Sequence, residues 1–220
     1  MMRVARVVSF VLIGTLALAA RSQAQAPAQS DAYKFFAAFD AGATFGHKSS
    51  SSFGGEVGMP NLFGPLGVSI EGGRMNNVGT EGLDARALII ANAIGATASA
   101  SYKANFFDVA ARYSPAMDWK AHPYVMFGVG VAEVRAETVL TVNGTTVTPE
   151  SVGVQFGTDL NGTVRKPLIV FGGGAIYPLT DRVFVDGSFR YGRILAKTSE
   201  TENDTGINTA RAQVGIGVRF

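Results

Sequence analysis

The sequence predicts an all-β protein: one eight-stranded antiparallel up-and-down β-barrel that crosses a membrane, with short turns at one end and long loops at the other. Apolar residues alternate with polar or small residues along segments that are longer than the five or six residues of ordinary strands. The connections between these segments alternate in length. Beyond the N-terminus, no apolar run reaches the ~20 residues that a membrane-spanning helix needs.

The composition excludes several classes of function. The chain has 220 residues and no Cys, which excludes a disulfide scaffold, thiolate metal sites and a Cys nucleophile. Two His leave few ways to build an acid–base or metal site. A formal charge of +2 is too small for an electrostatic nucleic-acid binder. We therefore expect no cofactor, no metal and no nucleic-acid partner.

The N-terminus has the order of a secretory signal. Arg3 and Arg6 precede fourteen mainly apolar residues, 7–20, and a short stretch of small residues follows. Cleavage is possible after Ala24 or after Ala26, and we favour Ala24 because cleavage after Ala26 would leave Pro27 directly behind the cut.

Three regions follow from this interpretation: a cleaved signal peptide at 1–24, a short linker at 25–32 and the barrel at 33–220. Cleavage removes three Arg and no acid, so the exported protein has 16 basic and 17 acidic residues. The mature chain is expected to be nearly neutral.

The first and last predicted strands show the alternation most clearly. One face of the first strand, which spans residues 33–46, carries Tyr33, Phe35, Ala37, Phe39, Ala41, Ala43 and Phe45. One face of the last strand carries Ala210, Ala212, Val214, Ile216, Val218 and Phe220. Both segments reach the 9–11 residues that a tilted strand needs to cross a bilayer.

Six further segments bring the number of predicted strands to eight. They are about Ser52–Met59, Gly67–Met75, Asn105–Tyr113, Pro123–Arg135, Leu168–Tyr177 and Arg182–Leu195. The short connections are 60–65, 114–122 and 178–181, and the polar, mostly long ones are 47–51, 76–104, 136–166 and 196–208. Such alternation is typical of outer-membrane barrels, whose long loops face outward, so both termini are expected at the periplasmic end. The sequence leaves open whether the loop at 76–104 folds inward as a plug.

The loop at 136–166 contains a predicted β-hairpin. Residues 138–142 and 145–148 are rich in Thr and Val, and Asn143-Gly144 lies between them. Asn-Gly favours the two-residue turn that joins twisted strands. We expect this hairpin to extend the barrel wall above the membrane.

Strand parity predicts a charged barrel interior. Ten charged side chains are placed inside, namely Lys34, Asp40, Glu56, Glu71, Asp108, Arg112, Asp186, Arg190, Arg211 and Arg219. These are five acids and five bases, which can pair with one another, whereas an unpaired buried charge would cost several kcal/mol. A soluble barrel with an apolar ligand cavity would have the opposite polarity.

Strand parity also places some apolar residues and glycines inside the barrel and two arginines outside it. It also places four apolar side chains inside, namely Phe36, Val170, Ile176 and Phe184, and six glycines that leave space for Arg, namely Gly128, Gly130, Gly172, Gly174, Gly215 and Gly217. Arg74 and Arg193 face outward near the outer rim, where they can contact lipid phosphates.

Three stretches carry a resemblance to a known family. They are residues 122–132 (HPYVMFGVGVA), residues 171–191 with FGGGA, LTDR and DGSFRY in order, and the terminal Val218-Arg219-Phe220. The chain resembles the outer-membrane β-barrel domain family, which includes opacity-type, OmpX-like and small "porin family" proteins. The resemblance implies a bacterial outer-membrane location among lipid and lipopolysaccharide. It also implies that the outer-membrane assembly machinery recognises the terminal strand through Val218 and Phe220. A monomer is the default expectation.

Three functions remain open at this stage, because one fold hosts many functions. The first is a non-enzymatic barrel that displays surface loops and contributes to envelope integrity or surface interaction. The second is a narrow porin or ion channel, although eight strands leave an interior that side chains fill. The third is an envelope-lipid-modifying enzyme that would use His47 with Ser49, but these residues are also explained as a polar loop tip. His122 is interpreted as a turn residue beside Pro123.

Overall fold

The structure is a computed structural model that describes residues 33–158, 160–195 and 206–220. The predicted signal peptide, the predicted linker and residues 196–205 of the last long loop lie outside the described residues. None of the helices in the described part of the chain is long and apolar enough to cross a membrane.

Eight long strands and one short one make up the sheet. They are β1 (Phe36–Phe45), β2 (Ser50–Phe63), β3 (Leu66–Met75), β4 (Thr97–Tyr113), β5 (His122–Val142), β6 (Thr145–Val147), β7 (Gly162–Pro178), β8 (Val183–Ile194) and β9 (Ile207–Arg219). A helix, α1 (Glu81–Asn92), precedes β4, and a 3-10 turn, Pro149–Val152, follows β6.

The eight long strands close into a barrel. Each pairs in antiparallel fashion with its neighbours, in the order β4-β3-β2-β1-β9-β8-β7-β5, and β4 pairs with β5 to complete the ring. Phe35 and Phe220 exchange two backbone hydrogen bonds of 2.9 Å at the seam between β1 and β9. A closed sheet leaves no unpaired edge for a bilayer to meet. The predicted eight-stranded antiparallel up-and-down barrel is therefore confirmed.

The two faces of the wall differ as the alternation predicts. On β1, Phe39 is 56% exposed while its neighbour Asp40 is 1% exposed. The outer face forms an apolar belt, which we define by these large exposed side chains along the middle of the wall: Phe35, Phe39, Phe53, Val57, Ile70, Phe107, Val109, Val125, Phe127, Val129, Val131, Ile169, Phe171, Phe189, Tyr191, Val214, Ile216 and Val218. So much exposed apolar surface on a soluble protein would be unusual, but it suits a lipid-facing wall.

Several strands are longer than the alternation predicted. β4 begins at Thr97, β5 continues to Val142 and β7 begins at Gly162, so the wall continues beyond the belt at the end of the long loops. The start of β4 reads Thr-Ala-Ser-Ala-Ser, in which small residues occupy both faces and the alternation gives no signal. β2 also extends through Pro60 to Phe63, where the register with β3 shifts between Met59 and Phe63. A strand tolerates Pro at such an irregularity, because the missing N–H is not needed there.

Helix α1 was not predicted. Thr80 caps its N-terminus by accepting a hydrogen bond from the Leu83 backbone N–H at 3.4 Å, and Glu81 and Asp84 lie in the first turn, where carboxylates suit the helix dipole. The buried residues of the helix are Ala87 and Ala91. Its position is therefore set by packing against the barrel and not by a strong apolar stripe of its own.

The predicted hairpin is confirmed. Val142 pairs with Thr145, Thr141 with Thr146 and Leu140 with Val147. The two turn residues, Asn143 and Gly144, have φ values of 50° and 79°, which is the left-handed pair that an Asn-Gly turn supplies.

The belt predicts that the cost of an outward-facing Arg on β5 depends on its depth in the membrane. Val129 and Val139 both face outward on β5 and are 55% and 42% exposed, but only Val129 lies in the belt. Val129→Arg is expected to destabilise the barrel by about 2–4 kcal/mol, because lipid solvates a guanidinium poorly, and the matched Val139→Arg by about 0–1 kcal/mol. Urea unfolding in lipid vesicles measures both. Equal losses of unfolding free energy in the two variants would show that the hydrocarbon region of the bilayer does not end where the belt ends.

Candidate functional site

The barrel interior gathers most of the charged residues predicted there. Eight of the ten are buried, namely Asp40, Glu56, Glu71, Asp108, Arg112, Asp186, Arg190 and Arg211. They come from β1, β2, β3, β4, β8 and β9. Together they form a charged layer that crosses the lumen.

Two predicted members of the set are not fully buried. Lys34 is exposed, because it precedes β1 and the alternation does not fix its side chain beyond the start of the strand. Arg219 is half-buried at the end of β9, with its guanidinium carbon 5.4 Å from the centre of the Phe184 ring. The balance of five acids and five bases in the interior stays a prediction, since the Phe184 ring that Arg219 contacts is itself buried and Lys166 on β7 is a further buried base. The layer contains five acids and three arginines.

Three of the acids and two of the arginines occupy opposite walls of the layer, whereas Arg112 lies on β4 and Asp186 on β8. Glu71 pairs in register with Glu56 on one side and with Asp108 on the other, so three carboxylates stand side by side on β2, β3 and β4. Arg190 and Arg211 are likewise direct partners on β8 and β9. Like charges directly opposite in a sheet repel one another, so each wall needs the other to offset its repulsion.

Ion pairs join the two walls across the lumen. Arg190 contacts Glu56 at 2.8 Å and also contacts Glu71. Arg211 Nη1 lies 3.1 Å from Glu71 Oε1. These residues are separated by well over a hundred positions in sequence and have side chains at most 2% exposed. In such a low-dielectric setting, charge-assisted hydrogen bonds are strong, and losing one partner leaves a buried charge uncompensated.

Arg112 links the walls at a second point. Its Nη1 lies 3.6 Å from Glu56 Oε1, and its Nη2 lies 3.5 Å from Asp186 Oδ2. The guanidinium carbon sits 3.3 Å from the centre of the Tyr124 ring, and the Tyr124 hydroxyl donates to Asp186 at 2.7 Å. Sequence reasoning missed Tyr124 as a member of the layer. Its inward position on β5 was available from the parity, but only charged residues were counted.

Asp40 and Asp108 complete the layer. Both are at most 1% exposed, and within the described residues neither carboxylate accepts a hydrogen bond. Their strand neighbours are glycines for a steric reason. A Cβ at Gly215 would overlap the Asp40 carboxylate, and one at Gly130 would lie 2.7 Å from the Asp108 Cβ.

An apolar plug lies on the side of the layer that faces the long loops. We define it by inward residues of the strand ends together with residues of α1 and the loops: Met75, Val78, Ala87, Tyr102, Ala104, Ala132, Val134, Leu160, Leu168, Ile194 and Ile207. Ala87 belongs to α1, so the loop at 76–104 does fold against the interior. The Thr138 hydroxyl donates to the Leu160 carbonyl at 2.6 Å and fixes Leu160 in place.

Helix α1 is also tied to the first loop. Asp84 Oδ2 lies 3.2 Å from His47 Nε2 and 2.6 Å from Lys48 Nζ. The contact that the structure gives to His47 is thus with a carboxylate of α1, and Ser49 is exposed beside it. His122, the first residue of β5, is half-buried. Within the described residues, no group of three or more His, Asp and Glu side chains is placed to hold a metal ion.

Comparison with known proteins agrees with this architecture. Residues 10–220 match a family described as "Outer membrane protein beta-barrel domain". Neisserial surface protein A has a similar structure, with a TM-score of 0.52 and 14% identity over 85% of this chain and 97% of that one. A major outer membrane protein from Thermus thermophilus is also similar in structure, with a TM-score of 0.50 and 13% identity over 84% of this chain and 99% of that one. At these identities the likeness concerns the fold alone. None of the curated proteins shows significant similarity to the chain.

The charged layer makes a prediction about stability. Arg190→Met removes the guanidinium that contacts both Glu56 and Glu71, so two buried carboxylates lose a partner and the free energy of unfolding is expected to fall by about 3–5 kcal/mol. The control is Arg165→Met, because Arg165 forms a 2.7 Å pair with Glu133 but its side chain is 81% exposed. That change is expected to cost about 0–1 kcal/mol. Urea unfolding in vesicles distinguishes the two, and similar losses would mean that the ion pairs across the lumen add no more than a surface pair.

Proposed function

This chain belongs to the outer membrane protein β-barrel domain family, whose fold implies the bacterial outer membrane, and we propose that it works there as a closed, non-enzymatic barrel that displays a folded extracellular surface. The observation that carries this proposal is the filling of the lumen by two layers. The charged layer spans the bore with ion pairs, and the apolar plug covers it on the side of the long loops.

The extracellular end of the barrel contains regular secondary structure in addition to loops. β4 and β5 remain paired from the barrel up to Thr97 and Thr141. β6 forms a hairpin with the end of β5, and α1 packs against the loop end of the barrel. His47, Lys48 and Asp84 tie two loops together. A defined surface of this kind supports display, since a partner can bind preformed loops without first ordering them.

A narrow cation pathway is the second candidate, because one observation favours it. Five acids and three arginines make up the charged layer, Lys166 on β7 is a fourth buried base, and Asp40 and Asp108 accept no hydrogen bond within the described residues. A path lined by surplus carboxylates would prefer cations. The apolar plug argues against this candidate, since water and ions do not cross a packed apolar layer.

An enzymatic role has less support. The His47 imidazole lies 3.2 Å from Asp84 in a contact that joins the first loop to α1, and both residues are partly exposed. A nucleophile held by a base would need the hydroxyl and the imidazole within hydrogen-bond reach. Ser49 has no such contact with His47 among the described residues.

Planar-bilayer recordings test the closed lumen. The refolded mature chain is expected to give no discrete conductance steps, because the plug and the ion pairs fill the bore. A heat-dependent shift in gel mobility establishes that the protein is folded. Discrete cation-selective steps that Glu71→Gln abolishes would contradict the closed barrel and establish the second candidate.

Site-directed labelling tests display. The chain has no Cys, so a single introduced thiol reports one position. Thr146→Cys on β6 is expected to react with a membrane-impermeant maleimide in intact cells, because Thr146 is exposed beyond the belt. The control, Lys120→Cys in the turn between β4 and β5, is expected to react only after the outer membrane is permeabilised. The reverse pattern would place the long loops in the periplasm and refute display.

A further inference from the structure

One part of the inner wall carries buried polar side chains that the ion pairs across the lumen do not use. It covers β8, β9, β1 and β2, which are consecutive strands of the ring. The polar residues that point inward there are at most 8% exposed, and we call them the polar patch: Asp40, Ser52, Asp186, Ser188 and Gln213.

The strand register arranges the polar patch in two adjacent rows. Across the strands from β8 to β2, the row nearer the long loops reads Ser188, Gln213, Gly42 and Ser52. The next row toward the periplasmic end reads Asp186, Gly215, Asp40 and Gly54. Polar side chains thus alternate with glycines in both directions, and each glycine leaves room that its polar neighbours can reach.

Gly215 brings the two carboxylates of the patch toward each other. A Cβ at this position would overlap Asp40 Oδ1 and would lie 3.1 Å from Asp40 Cγ, so the Asp40 side chain leans over β9. The direct partner of Gly215 on β8 is Asp186. Gln213 is the preceding inward residue of β9, ~7 Å along the strand. The Asp40 carboxylate therefore lies over a glycine whose neighbours on the inner face are a carboxylate and an amide.

The polar atoms of the patch lack partners among the described residues. They are both carboxylate oxygens of Asp40, Asp186 Oδ1, the hydroxyls of Ser52 and Ser188, and both side-chain amide atoms of Gln213. A buried polar group without a partner is costly, and a buried charge without one is more costly still. Their concentration on neighbouring strands indicates a guest that these atoms bind in common.

The local charge identifies this guest as a cation. The ion pairs across the lumen join three acids to three arginines, namely Glu56, Glu71 and Asp186 to Arg112, Arg190 and Arg211. These charges match in number, and Asp40 forms no ion pair within the described residues. Arg190 and Arg211 occupy the next row toward the loops, but their guanidinium groups contact the acids of β2 and β3.

The other inward bases are remote from Asp40 along the strands. The residue of β7 in the row of Asp186 is Ile176, and Lys166 lies ten residues from it, or about 33 Å along the strand. Arg219 lies four residues beyond Gly215, or about 13 Å toward the periplasmic end, where it contacts the Phe184 ring. Asp40 is therefore one carboxylate in excess in its own surroundings.

We propose that the polar patch binds one monovalent hard cation, of the class of Na⁺ and K⁺, at the junction of β8, β9 and β1. Carboxylate, amide and hydroxyl oxygens are the ligands that hard cations prefer. One excess carboxylate among neutral oxygens matches a single positive charge, whereas a divalent ion would leave an uncompensated charge in the wall. Because β1 and β9 are the first and last strands of the barrel, the ion would stabilise the seam that closes it.

The proposed ion is resident and not in transit. Its site depends on Asp40 and Gln213, and neither residue belongs to the apolar plug or to the extracellular surface. Silence in planar-bilayer recordings would leave the ion in place, and failure to bind an ion would leave the display of loops untouched. The assignment and the proposed function can therefore fail separately.

The test refolds the full mature chain in a neutral detergent with the chloride of Na⁺, K⁺ or choline at equal ionic strength. Choline presents methyl groups and cannot take the oxygen ligands of the patch. At least one of Na⁺ and K⁺ is expected to raise the temperature of the heat-dependent gel shift above that in choline, because a ligand of the folded state alone stabilises it. The radioactive form of that ion, added during refolding, is expected to stay with the barrel through gel filtration.

Variants locate the ion. Asp40→Asn and Gln213→Met remove a ligand at nearly constant size, and each is expected to lower the apparent affinity about tenfold or more. In choline, Asp40→Asn is expected to be at least as stable as the unchanged chain, since it removes an unpartnered buried charge, so a folding defect is recognisable. The matched control is Asp108→Asn, which removes the other unpartnered carboxylate, a partner of Glu71 on β3, and is expected to keep the full shift.

Three outcomes would overturn the proposal. Equal gel-shift temperatures in all three salts at pH 7 and at pH 9 would show that the patch holds no monovalent cation. A gel-shift temperature that rises only on acidification, and no longer does so in Asp40→Asn, would show that Asp40 takes a proton instead. A salt-specific shift that is lost in Asp108→Asn and kept in Asp40→Asn would place the ion elsewhere in the charged layer.

Discussion

Closure of the sheet is the constraint on which the rest of the molecule depends. In hydrocarbon, every backbone N–H and C=O must be paired within the protein, so a β-structure spans a membrane only as a closed ring. Here the β1–β9 seam and the β4–β5 pairing complete that ring. Closure then fixes which side chains face lipid and which face the lumen, since one residue of slip would reverse every face.

Closing at eight strands also fixes the width of the lumen, which side chains must fill. This protein fills it with arginines and aromatic rings set against glycines, as at Gly217, where a Cβ would overlap the Phe184 ring. Charges in that space cannot be solvated by bulk water, so they pair across the bore. The Arg190 contacts with Glu56 and Glu71 therefore join β8 to β2 and β3, strands that do not touch through the sheet.

The sequence was most informative where a strand has two unlike faces. The period of two predicted all eight barrel strands, the inward position of residues such as Glu71 and Arg190, and the Asn143-Gly144 hairpin. It failed where the two faces are alike, as at the Ala- and Ser-rich start of β4, and for α1, whose packing comes from the barrel. It also could not reveal pairing, because which acid meets which Arg depends on strand order and tilt. Nor did it place Lys166 in the interior, because that residue ends a segment predicted as a loop.

The two interior layers support each other. The apolar plug keeps bulk water from the charged layer on the side of the long loops, and low local polarity strengthens the Arg190 and Arg112 contacts beneath it. Those contacts in turn hold β2, β3, β4 and β8 together across the lumen. Ala87 of α1 and Leu160 pack into the opening above them. Expansion of the layer below that opening would break buried ion pairs.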